Sequence, residues 1–165
     1  MILYHGSMVS VEAPRILPRK DGRGADFGAG FYTTSSHDQA VRWVHVLQGK
    51  QEKQTSGFVS SYSVPDNLLS LPELKTRVFR GASRVWLHFV RDNRTHPEVD
   101  HLYDIVKGPV ANDRVYSTLT LWEENFLDEA ETIRRLKTFT LVDQILFHTE
   151  KALSYLSFLK AEVIE

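Results

Sequence analysis

The chain has 165 residues, 42% of them hydrophobic, 11% aromatic and 25% charged, and no cysteine. That length suits one domain with a core of its own, and the composition excludes a wholly disordered, collagen-like or repeat-built chain. Without cysteine there is no disulfide framework, Cys-ligated zinc, thiol nucleophile or iron–sulfur cluster.

The net charge of −1 is unevenly spread. Residues 1–95 hold 13 Lys/Arg against 8 Asp/Glu, and residues 96–165 hold 7 against 13. The positive surplus peaks at Lys75, Arg77, Arg80, Arg84, Arg91 and Arg94, a cluster that suits a phosphate-bearing partner or an ordinary solvated face. No apolar run approaches the roughly 20 residues that a bilayer crossing needs. Met1–Gly6 has no basic segment ahead of a long apolar one, so no signal peptide is expected and the reading is cytoplasmic.

In chain order, Ile2–His5 reads as a strand ended by Gly6 and Ser7. Residues 12–30 are rich in Pro, Gly and charge and read as a long loop. Phe31–Thr34 is a strand. Ser36 with Gln39 forms a capping-box pattern ahead of the stripe Ala40, Val41, Trp43, Val44 and Leu47, which predicts a helix. Phe58–Val64 is a strand and Ser83–Val90 an apolar helix. Leu102–Val106 is a strand closed by Gly108-Pro109. Trp122, Phe126, Ala130 and Ile133 predict one helix over 121–136. Gln144–Phe147 is a strand, Thr149 caps a short helix through Tyr155, and residues 158–164 alternate as a half-exposed strand. There is no internal repeat or linker, so residues 1–165 read as a single α+β domain.

Three short segments carry candidate chemistry. In Leu3-Tyr4-His5-Gly6-Ser7, an imidazole at a strand end stands beside backbone that a ligand can approach closely. In Asp26-Phe27-Gly28-Ala29-Gly30-Phe31-Tyr32-Thr33-Thr34, two glycines leave room for a flat ligand and Tyr32 can stack on it. The Gly-x-Gly-x-x-Gly spacing of dinucleotide folds is absent there. In Asp143-Gln144-Ile145-Leu146-Phe147-His148-Thr149, an amide opens an apolar strand. Taken singly, each has an ordinary structural reading: a hydrogen-bonding His, a Gly-rich turn, a strand-edge amide.

Together the three resemble the ADP-ribosyltransferase superfamily, in its poly(ADP-ribose) polymerase and diphtheria-toxin-like branch. His5-Gly6 resembles the first motif of that family and Gly30-Phe31-Tyr32 its second. Trp43 stands eleven residues past Tyr32, where that branch carries a second aromatic that sandwiches nicotinamide. Gln144 stands where a glutamate normally opens the third motif. The segments Leu-Tyr-His-Gly-Ser, Asp-Phe-Gly-x-Gly-Phe-Tyr-Thr-Thr, Asp-Ile-Val-x-Gly-Pro-Val-Ala-Asn-Asp and Phe-x-Thr-Glu-Lys-Ala-Leu resemble, more narrowly, a small bacterial family placed in this superfamily and often encoded beside a short partner gene.

The resemblance implies a split antiparallel β-sheet that binds NAD, with helices between and around the half-sheets. It implies an NAD-dependent mono-ADP-ribosyltransferase, of toxin-like type, acting on a macromolecular acceptor and neutralised by a small partner protein. It places His5, Tyr32 and Gln144 in catalysis, and His5, Gly6, Ser7, Gly30, Tyr32, Thr33 and Trp43 around NAD. It also implies that the His5 and Tyr32 side chains converge on one cleft. The departure at the third motif matters, because an amide bonds a ribose hydroxyl but supplies no negative charge. Branches without that glutamate transfer a single ADP-ribose or are inactive.

Asn112 and Asp113 are candidates for acceptor or ribose contact, or else cap the next helix. Asp26 is a ribose candidate or a turn residue, and Arg23 and Arg80 are diphosphate candidates. His96, Asp100, His101 and Asp104 lack the three- or four-residue spacing of helical metal pairs, and no metal is expected. The alternatives are a catalytically silent NAD- or ADP-ribose-binding module, favoured by Gln144, and a nucleic-acid-binding domain that uses the cluster over 75–94.

Overall fold

The computed structural model describes residues 1–16, 25–52, 55–96, 100–110, 113–139 and 141–165. The first strand, β1 (Ile2–Ser7), runs two residues beyond the end expected at His5. Antiparallel pairing with β3 (Gly57–Ser63) carries it on, Gly6 lying opposite Val59 and Ser7 opposite Phe58. On its other side β3 pairs antiparallel with β7 (Ser157–Ile164), so one sheet has the order β1-β3-β7. The second sheet has the order β2-β6-β5-β4, from β2 (Phe31–Thr33), β6 (Asp143–Phe147), β5 (Ile105–Pro109) and β4 (Thr76–Val78). Its last pair, β4 with β5, is parallel, so this half-sheet is mixed and not wholly antiparallel as expected. Among the described residues the two sheets meet at a single bridge, Tyr4 with Thr34.

Helix starts follow local chemistry. The Ser36 hydroxyl accepts from Gln39 N–H at the head of α1 (His37–Gln48), and Ser83 accepts from Trp86 N–H at the head of α2 (Arg84–Thr95). Each satisfies one of the unpaired N–H groups of a first turn. The single helix expected over 121–136 is two, α3 (Asp113–Glu123) and α4 (Glu129–Leu136). Asn125 takes φ 63°, and Asp128 caps α4 by accepting from Glu131 N–H. Thr149 caps α5 (Glu150–Leu153).

Side-chain alternation then divides the core. Leu3 and Tyr62 of the first sheet pack with Phe31, Ile145 and Phe147 of the second, so this core lies between the sheets. On the opposite face of the second sheet, Val106 and Leu146 pack with Trp86, Leu87 and Val90 of α2, Val115 and Leu119 of α3, Leu136 of α4, and Phe27. Ala40 and Val44 of α1 cover Val59 on the opposite face of the first sheet. Each large apolar side chain so buried contributes about 1.5–3 kcal/mol. Among the described residues no helix is long and apolar enough to cross a membrane.

Candidate functional site

The bridge between the sheets opens into a fork. Antiparallel strands bond through alternate residues. Met1 C=O accepts from Val64 N–H (3.0 Å), so Leu3, His5 and Ser7 bond to β3, and Tyr4 turns its main-chain groups to the other side. There Tyr4 exchanges both hydrogen bonds with Thr34, each at 2.9 Å. Gly6 turns its N–H and C=O the same way, and a further rung would join it to Tyr32. That rung does not form. The Tyr32 carbonyl accepts instead from His5 Nδ1–H at 2.7 Å. The imidazole is thus a wedge that parts the sheets, and among the described residues nothing bonds the outward main-chain groups of Gly6.

The wedge has a fixed tautomer. Donation from Nδ1 leaves Nε2 as an acceptor. The ring packs on Phe31 with centroids 4.3 Å apart. Burial lowers the His5 pKa, against the pull of the Tyr32 carbonyl, so the ring is held neutral. The His5 and Tyr32 side chains do not share one face as expected. Strand alternation puts the His5 ring on the Phe31 side and the Tyr32 ring on the Leu146 side, so the two flank the fork from opposite faces.

Gln144 lies on the Tyr32 face, because Tyr32 pairs with Leu146 two residues along β6. A loop, residues 25–30, crosses this face and is held at three successive carbonyls. Phe27 C=O accepts from His101 Nε2–H (2.7 Å), Gly28 C=O from the Tyr32 hydroxyl (2.7 Å), and Ala29 C=O from His148 Nδ1–H (2.6 Å). The Tyr32 oxygen also accepts from Phe27 N–H (3.1 Å). So held, the loop sets Asp26 Oδ2 3.2 Å from Gln144 Nε2, which also lies 3.4 Å from Pro109 C=O.

Glycines make these approaches possible. A Cβ at Gly6 would collide with the Ala40 carbonyl of α1, and one at Gly108 would come 2.9 Å from Phe27 Cζ. Gly30 takes φ +142°, and a Cβ there would lie 2.6 Å from Leu146 Cδ1, so its role is to turn the loop into β2.

Other candidates are engaged elsewhere. The Ser7 hydroxyl donates to Val9 C=O (2.6 Å), and the buried Thr33 hydroxyl to Ile145 C=O (3.0 Å). Trp43 is 47% exposed with the Lys50 ammonium 5.7 Å from its ring centroid, so it is no part of the buried face of α1. Asn112 and Arg23 lie outside the described residues, and Asp113 opens α3. Asp143 points to the opposite face from Gln144. Burial pushes its carboxyl up, but Lys107 Nζ at 3.0 Å and the Ser35 donors outweigh this and hold it below the usual carboxylate value.

Among the described residues no three His, Asp or Glu side chains form a group that could hold a metal ion. Both nitrogens of His101 are engaged, Nε2 on Phe27 and Nδ1 by Tyr103 N–H (3.2 Å). Asp104 accepts from Lys75 N–H and the Thr149 hydroxyl. In the basic cluster, Arg84 pairs with Glu129 (2.8 Å), Arg91 with Asp92 (2.8 Å) and Arg94 with Glu123 (3.6 Å), so half of its cations already face carboxylates.

In the sequence His101 reads only as a metal candidate and His148 only as the end of the third segment. Their hold on the 25–30 loop follows no local pattern, since only the pairing of β2 with β6 brings His148 beside Ala29. The model of one protein family, described as a protein of unknown function (DUF3990), matches residues 1–158, and the chain belongs to that family. No curated protein matches the chain.

Proposed function

We propose that this DUF3990 chain is an NAD-dependent mono-ADP-ribosyltransferase whose substrate binds at the fork between β1 and β2. The reading rests on the outward N–H and C=O of Gly6, a donor and an acceptor side by side at a split between two sheets. A primary carboxamide needs that pair, and nicotinamide carries one. On one face of the fork lie the ring of Tyr32 and the amide of Gln144, for the ribose next to nicotinamide, and on the other the acceptor Nε2 of His5, for a ribose hydroxyl.

Breaking the nicotinamide–ribose bond sends its electron pair to the pyridinium nitrogen and leaves an oxocarbenium-like ribose. Fixed dipoles and charges aimed at that centre lower the barrier. An acceptor nucleophile, or water, then attacks the ribose carbon and loses a proton. The Gln144 amide orients the ribose without building a polymer-forming acid. A toxin-like role, a macromolecular acceptor and a small neutralising partner belong to the same reading.

The test is a titration with NAD followed by an assay of released nicotinamide. Saturable binding that competes with free nicotinamide, together with release, is expected. Binding unaffected by Gly6→Val, in a variant shown to fold by circular dichroism, would place the ligand elsewhere.

A further inference from the structure

We infer that Asp26 and Gln144 act as one unit, in which the Asp26 carboxylate supplies the negative charge that an amide at the third motif lacks. The inference rests on the proposed transferase reading and names how that site meets its charge requirement.

Three observations carry it. First, Gln144 Nε2 donates to Asp26 Oδ2 at 3.2 Å, although the two lie 118 positions apart. That bond fixes which way the amide points. With Nε2 turned to Asp26 and Pro109, Oε1 is left as the acceptor, the role a ribose hydroxyl requires. A carboxylate on the N–H₂ end also draws the amide dipole toward it and makes Oε1 a stronger acceptor.

Second, Asp26 does not rest there by chance of a loose loop. The next three carbonyls are held by His101, Tyr32 and His148, from three separate parts of the chain. Phe27 is buried against Gly108, directly opposite Gln144 in the β5–β6 pairing. The carboxylate is therefore placed before any substrate arrives, as electrostatic stabilisation demands.

Third, the neighbouring carboxylate cannot do this work. Asp143 faces the other side of β6, away from the fork side on which Gln144 lies, and is held there by Lys107 and the Ser35 donors.

In the step itself the carbon–nitrogen bond to nicotinamide breaks and its electron pair leaves with nicotinamide. Cationic charge grows on the ribose. Gln144 Oε1 holds the ribose hydroxyl, and the charge of Asp26 acts through the amide as well as across space. Asp26 is thus a positioning residue that works through Gln144, and no proton or electron passes through it.

The experiment compares wild type, Asp26→Asn and the exchange variant Asp26→Asn/Gln144→Glu for NAD affinity and for nicotinamide release at saturating NAD. Asp26→Asn is expected to slow release roughly 10- to 100-fold while NAD affinity stays within about threefold, because the charge matters most as the cation forms. The exchange variant, which returns a carboxylate to the pair, is expected to recover most of the rate. The pH profile is the second readout. Gln144 does not titrate, so wild-type turnover should fall on an acidic limb that Asp26→Asn lacks.

Release by Asp26→Asn at the wild-type rate overturns the inference and leaves the transferase reading standing. So does a loss of affinity that matches the loss of rate. Wild type that binds NAD but releases no nicotinamide also overturns it, since the pair would then not complete the site. Wild type that does not bind NAD overturns the transferase reading itself. If Asp26→Asn fails to fold, a wild-type profile without an acidic limb, measured where the fold is intact, overturns the inference on its own.

Discussion

Tyr32 holds a loop with its oxygen and offers a ring to the fork. Its hydroxyl serves both Phe27 N–H and Gly28 C=O. Tyr32→Phe leaves those two main-chain groups without their partner, so stability is expected to fall by about 1–3 kcal/mol in a denaturant titration. NAD affinity should fall further in Tyr32→Ala, which also removes a stacking surface worth roughly 0.5–1.5 kcal/mol beyond its buried area. Equal affinity losses would exclude stacking. His5 gives a pH dependence. Its folded pKa lies below the ordinary 6.5, chiefly through burial. The unfolded chain therefore takes up a proton first as pH falls. The contribution of His5 to stability is complete above about pH 6.5 and is lost on acidification below it. The urea midpoint should decline less steeply between pH 6.5 and 5 in His5→Gln than in wild type. The candidate residues themselves were legible in sequence, because a His-Gly pair and a Gly-x-Tyr are local patterns. The wedge was not, since it depends on which carbonyl lies opposite His5 once β1 and β2 have been brought together.

The elements that sequence marked well are those with a side chain that does one job at one end. Ser36 and Thr149 cap the helices expected after them, and Ser83, read as the first residue of its helix, is its cap. Where the apolar period continued through a break, it misled. Trp122 and Ile133 keep helical spacing across residues 124–128, but Phe126 between them is exposed and Asn125 takes a left-handed φ. The restart depends on Asp128, whose carboxylate accepts from Glu131 N–H at 2.7 Å. Asp128→Ala is expected to cost about 1 kcal/mol of stability, read as a lowered thermal midpoint, and an unchanged midpoint would show that α4 starts without its cap. β4 escaped notice for another reason. Three residues are too few to show a period of two, and its partner β5 is parallel and begins 29 positions later.

At the scale of the whole molecule, the uneven charge of the sequence folds back on itself. The second half of the basic stretch lies on α2, and there Arg84 meets Glu129 of α4 and Arg94 meets Glu123 of α3. The second pair is largely shielded from water, with side chains 10% and 22% exposed. Arg94 also lies over the Tyr116 ring at 4.3 Å. Glu123→Ala would leave a shielded guanidinium without its counter-charge, at a cost of about 3 kcal/mol or more. Glu131→Ala, by contrast, removes a half-buried carboxylate whose partners Arg134 and Arg135 are themselves exposed, and should leave the melting midpoint nearly unchanged. Similar midpoints for the two variants would mean that the charge halves are not a structural joint.

The hold on Phe27, Gly28 and Ala29 constrains how the gene can change. Three neighbouring peptide groups each answer to a different donor, and Tyr32 is both a donor and a rung of β2. Inserting or deleting one residue between Gly28 and Tyr32 would break the match, and within the strand it would turn every later side chain to the other face. Substitutions that keep the length leave that count untouched. This stretch should therefore drift by exchange of letters while keeping its spacing, and its fixed interval would outlast the identity of most residues inside it.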